Sequence, residues 1–173
     1  MIDSGRTAET MTTKVTETGW EKEMNDCVFC QIVAGESPAS VFYEDDVVLG
    51  FMDIGPVTTG HAMIIPKHHA ACLADLDEET GRHLWTITQR TAAAIRKSGV
   101  RCEGINLFLA DGEAAFQEIF HVHMHVFPRY AGDGFKVIAD WDVRTPREEL
   151  NRVARQIEQA YDRLWEHEEA EGT

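Results

Sequence analysis

With 173 residues, 43% of them hydrophobic, the chain can bury one good core and is too short for two ordinary domains, so one domain with tails is expected. A formal net charge of -14 argues against a broad basic surface for DNA, RNA or anionic membrane, because such binding is built on many Lys and Arg contacts to phosphate. A small phosphate ligand stays open, since a pocket can hold one or two phosphates with backbone N–H groups and a few side chains.

Residues 1 to about 24 are rich in Thr, Glu and Lys and carry no sustained apolar period, which predicts a flexible tail and no signal peptide. From Cys27 a short apolar turn runs to Gly35, followed by extended runs at Val41–Tyr43, Val47–Asp53 and His61–Pro66 with turns at Gly55-Pro56 and Thr59-Gly60. Asp77 reads as the N-cap of a helix that places Leu84, Ile87, Thr91 and Ile95 on one face and stops at Ser98-Gly99. Strands at Ile105–Ala110 and His121–Pro128 follow, implying an antiparallel sheet. Thr145-Pro146-Arg147-Glu148 reads as a capping box opening a last helix with Leu150, Val153, Ile157, Tyr161 and Leu164 at helical spacing. That stripe and Trp165 are expected to cover the sheet or a partner subunit. The expected organisation is a tail over 1–24, a folded domain over 25–140 and a helical extension over 141–173. No apolar run is long enough to span a membrane, so a cytoplasmic protein is expected.

The chemistry concentrates in His121-Val122-His123-Met124-His125-Val126-Phe127. On a strand, alternate side chains share a face, so the three histidines line one side while Val122, Met124 and Val126 anchor the other in a core. A solvated face would gain nothing from three imidazoles, which have poor β-propensity. A metal hydrolase is a second reading, because alternate histidines can bind one zinc with a position open for water. Neutral imidazole is a nucleophile, and its ordinary pKa of about 6.5 leaves much of it neutral in the cytoplasm. Cys27 and Cys30 have a spacing that lets both thiolates reach one metal ion; a redox pair is the competing reading.

The stretch Gly112-Glu113-Ala114-Ala115-Phe116-Gln117-Glu118-Ile119-Phe120 leading into the histidines and Pro128-Arg129 resembles the signature of the histidine-triad (HIT) family. Cys27 to Cys30, Val41–Asp45, Phe51-Met52-Asp53-Ile54 and Gly60-His61-Ala62-Met63-Ile64-Ile65-Pro66-Lys67 resemble its bacterial branch in the same order, and the resemblance covers about residues 26 to 136. It implies an α+β fold, an antiparallel sheet with a long helix packed on it and an additional C-terminal helix, a homodimer, and a purine-nucleotide pocket. By matching position, His123 resembles the nucleophile that attacks the α-phosphorus and His125 a ligand of the phosphate oxygens. His121 and His61 complete the active-site histidines. Asp53 and Ile54 match residues that hold ribose and base, and Phe51 and Gln117 fall in the nucleotide-binding segments. On residue type alone Asp53 would be a turn residue before Gly55-Pro56.

The same resemblance adds His69 and His121 to Cys27 and Cys30 as ligands of a structural zinc. Two positions depart from the pattern: Ala110 stands where relatives carry a side-chain amide, and Phe116 where they carry glycine. The implied activity is hydrolysis of nucleoside 5'-phosphoramidates or related nucleotidyl compounds through a nucleotidyl-histidine on His123. The alternative is a nucleotide-binding or regulatory module with weak or no catalysis, as the loss of a phosphate donor at Ala110 would suggest.

Overall fold

The computed structural model describes residues 27–171; the tail expected over 1–24 lies outside them. They divide into two compact units that meet at Gly134 and Phe135. The first unit carries a five-stranded, wholly antiparallel sheet in the order β1-β2-β3-β5-β4. Its strands are β1 (Val41–Glu44), β2 (Val48–Met52), β3 (Ala62–Pro66), β4 (Gly104–Phe108) and β5 (Met124–Arg129). Helix α1 (Val28–Val33) precedes β1, and helix α2 (Glu78–Lys97) connects β3 to β4. The fold is α+β.

Strand alternation sends the sheet's side chains into two cores. On one face Val48, Ile64, Val122 and Val126 pack with Leu84, Ile87 and Ile95 of α2. On the other, Leu49, Phe51, Met63 and Ile65 pack with Cys27 and Phe29 at the start of α1. Every residue of β3 is buried, as expected for a strand covered on both faces. Helix α2 follows the reading of its sequence: the Asp77 carboxylate accepts the Thr80 N–H at 2.9 Å, which satisfies one of the unpaired donors of the first turn. Ser98 closes the helix and Gly99 leaves it at φ +86°.

Two segments differ from expectation. The apolar turn after Cys27 is a six-residue helix, uncapped by any side chain. The histidine segment is only partly strand: β5 begins at Met124, so His121 and His123 precede it. The alternation nevertheless persists, because Val122 and Val126 enter the α2 core while the histidine rings lie among the residues of the α1 side. The Val122 N–H donates to the Ala70 carbonyl at 2.7 Å, which holds the segment in place before pairing starts.

The second unit contains helix α3 (Arg147–Glu171). Its stripe of Leu150, Val153, Ile157, Tyr161 and Leu164 is exposed, and Tyr161 stacks on Trp165 with ring centroids 4.4 Å apart. Among the described residues no helix is long and apolar enough to cross a membrane.

Candidate active site and metal cluster

Backbone groups fix the tautomers of His123 and His61, and His61 in turn fixes that of His125. The ring of His123 donates from Nδ1 to the His121 carbonyl at 2.7 Å, so its proton sits on Nδ1 and Nε2 keeps a lone pair. A second set runs in series: the Val57 N–H donates to His61 Nδ1 at 3.2 Å, and His61 Nε2 lies 2.8 Å from His125 Nδ1. His61 therefore carries its proton on Nε2 and donates it to His125 Nδ1. The remaining ring proton of His125 is then on Nε2, as a donor.

Burial favours the neutral form of His125 and of His61. It pushes His125 down to about 4, assisted by the neighbouring His123 and His61 and opposed by the Asp53 carboxylate. Burial also lowers His61, again against Asp53. Asp53 serves two roles at once: one carboxylate oxygen accepts the Gly55 N–H at 2.7 Å and makes the turn, while the other stands 3.4 Å from His61 and 3.9 Å from His125. The turn reading and the site reading describe the same residue.

A cavity of about 540 Å³ opens beside the rings, a volume suited to a nucleotide-sized ligand. Its lining includes the apolar Phe29, Ile32 and Phe51, Asp53 and Ile54, and the rings of His123 and His125. Ile54 is 99% exposed at the rim, whereas Phe51 is buried and meets Phe29 edge-on. Gln117 does not line the cavity. Its amide accepts the Gly112 N–H and donates to the Ala71 and Ile119 carbonyls, so it staples the preceding loop. Phe116 lines the cavity with its side chain 84% exposed and its backbone at φ +67°, while Ala110 is 3% exposed and lies outside the lining.

Cys27, Cys30, His69 and His121 bring their ligand atoms within 4.8 Å of one another. Sulfur-to-nitrogen distances are 3.5 Å for Cys27 to His121, 3.3 Å for Cys30 to His69 and 3.6 Å for Cys30 to His121. A tetrahedral ion with ordinary zinc–sulfur and zinc–nitrogen bonds needs edges of about 3.6 Å, so the cluster fits such an ion. His121 Nε2 donates to the Pro66 carbonyl at 2.9 Å, leaving Nδ1 as the ligand atom. Burial and the adjoining Cys27 push the Cys30 thiol up to about 12, a cost that a bound cation offsets. Burial likewise lowers His121 to about 4 and keeps it neutral.

A model of the HIT domain matches residues 34–132. The chain belongs to the HIT family. An uncharacterized HIT-like protein of Borreliella burgdorferi is 41% identical over 113 residues, 65% of this chain and 81% of that protein. Adenylylsulfatase HINT3 of Arabidopsis thaliana is 39% identical over 109 residues, 63% of this chain and 55% of that enzyme. Among solved structures, a zinc-bound histidine triad family protein of Mycobacterium smegmatis is 43% identical with a TM-score of 0.63, over 79% of this chain and 99% of that one. Within this HIT fold, the site elements hidden from a reading of side chains are backbone groups: the His121 and Pro66 carbonyls and the Val57 N–H. Glu118, which also lines the cavity, carried no signal beyond its place in the family stretch.

Proposed function

We propose that the chain hydrolyses nucleoside 5'-phosphoramidates or related nucleotidyl compounds through a covalent bond to His123. The observation carrying this reading is the His123 Nδ1 to His121 carbonyl hydrogen bond at the end of a nucleotide-sized cavity. Nε2 gives its lone pair to the α-phosphorus, the bond from phosphorus to the leaving nitrogen breaks with its electron pair on that nitrogen, and the nitrogen takes a proton from solvent. The His121 carbonyl steadies the positive charge that develops on the His123 ring, and the Nε2 proton of His125 faces the charge on the phosphoryl oxygens. Water then adds to phosphorus, the bond to Nε2 breaks in favour of the ring, and the surplus proton goes to solvent with release of the monophosphate. Asp53 accepts hydrogen bonds from the ribose hydroxyls, and Phe51 and Ile54 border the base. A purine nucleotide, a homodimer and a cytoplasmic setting complete the reading.

Cys27, Cys30, His69 and His121 would hold zinc, whose contribution is to stabilise the fold. Support comes from the tetrahedral spacing and from the zinc-bound relative. Rapid quenching of a reaction with adenosine 5'-phosphoramidate, followed by peptide mass spectrometry, is expected to find a nucleotidyl group on His123. An adduct on His121 or His125 overturns the assignment. The departures at Ala110 and Phe116 favour a second reading, a nucleotide-binding module with weak or no catalysis; tight binding without turnover would select it.

A further inference from the structure

The cavity has a charge pattern that bears on which leaving group it admits. Its described lining residues include two carboxylates, Asp53 and Glu118, and no Lys or Arg. Asp53 stands on the side of His61 and His125, with one carboxylate oxygen accepting the Gly55 N–H. Glu118 is exposed and stands in the loop between Phe116 and the histidine segment, lining both this cavity and the adjoining groove edged by Cys27, His69 and Phe120. A group departing from the α-phosphorus toward that loop therefore meets a carboxylate and no cation.

We infer that Glu118 makes this site select its leaving group by charge, favouring nucleotidyl compounds whose leaving amine bears a positive charge and disfavouring those whose leaving group is anionic. The inference rests on the phosphoramidate reading above and names the subclass of substrate. A unit charge about 7 Å from a carboxylate, in a medium between water and a protein surface, changes binding by about three- to fiftyfold. The molecule's charge of -14 acts in the same direction, but from dispersed positions that salt screens more completely. Replacing one side chain separates the two contributions.

Three adenosine phosphoramidates with the same phosphorus–nitrogen bond test it: those of 1,3-diaminopropane, propylamine and 3-aminopropanoate, whose far ends are cationic, neutral and anionic. Both kcat/KM and affinity by calorimetry are measured, with the neutral compound as the internal reference. The wild type is expected to rank cationic above neutral above anionic. Glu118→Gln is expected to narrow each step of the ranking, cationic to neutral and neutral to anionic, by about three- to fiftyfold, and Glu118→Lys to reverse its order. A flat ranking in the wild type, or a ranking that Glu118→Gln leaves intact, overturns the inference. If none of the three turns over while affinity follows the charge order and flattens in Glu118→Gln, charge selection stands and the hydrolytic reading falls. Affinity without that order overturns both.

Discussion

Replacing Gly60 with Ala tests how the turn between β2 and β3 aims His61. Gly60 has φ +97°, and an added Cβ would stand 2.8 Å from Val100 Cγ1 and 3.2 Å from Pro128 Cγ. The left-handed backbone costs a residue with a side chain about 1–2 kcal/mol. Forced overlap in a packed site adds about 1–3 kcal/mol. The expected loss is therefore about 2–5 kcal/mol, a large fraction of a typical domain's stability. Gly99 supplies the control, because it has φ +86° and nothing within 4 Å of the added atom; Gly99→Ala incurs the backbone cost alone, about 1–2 kcal/mol. Urea unfolding of both variants gives the difference. The site should register the change as well, since the His61 N–H donates to the Thr58 carbonyl and its own carbonyl accepts the Asp53 N–H. A turn that shifts to relieve Val100 moves His61 away from His125, so Gly60→Ala is also expected to slow turnover when Gly99→Ala does not. Equal stability losses in the two variants would refute the steric part of the reasoning.

Acid should destabilise the protein in a defined window. His125 is neutral in the folded state and falls to about 4, whereas an unfolded histidine takes a proton near 6.5, so the unfolded chain binds more protons between those values. Stability from this ring is complete above about 6.5 and lost toward 4, by up to about 3 kcal/mol, as denaturation at graded pH would show; a flat profile would contradict it. Removing metal with a strong chelator is expected to lower the melting temperature and release one zinc per chain by elemental analysis, and a metal-free protein of unchanged stability would rule out the structural role. Phe116→Gly removes a side chain from a left-handed position and should hold stability within about 1 kcal/mol while raising turnover, whereas Ala110→Asn buries an amide and should cost about 1–3 kcal/mol. A deoxyribose substrate should turn over more slowly than its ribose counterpart through loss of hydrogen bonds to Asp53, and equal rates would sink that role.

Periodic features were legible in the sequence. The face of α2 and its Asp77 cap follow from spacing and one side-chain acceptor, and the strand β3 from the extended run His61–Pro66. Helix α1 was not legible as a helix, because its six residues have no polar face and no side-chain cap. The direction in which Gln117 points was equally hidden: an amide suits a ligand or a loop, and only the positions of Gly112, Ala71 and Ile119 decide between them. The spacing of Cys27 and Cys30 allowed a metal pair or a redox pair, and the resemblance supplied His69, whose Nδ1 lies 3.3 Å from Cys30. Tautomers could not be read, since the groups that set those of His61, His121 and His123 are main-chain atoms common to every residue, and that of His125 follows from His61.

The peptide joining His121 to Val122 is gripped at both ends: its carbonyl receives the His123 ring and its N–H reaches the Ala70 carbonyl. The alignment of the His123 ring is thus written into main chain, where side-chain mutagenesis has no purchase. An alanine scan would score position 121 as a metal ligand and overlook its second duty, which survives the loss of the imidazole. Exchanging the 121–122 amide for an ester by semisynthesis weakens that acceptor and removes the Val122 N–H donor while every side chain stays in place, so the main-chain duty can be weighed apart from that of the imidazole.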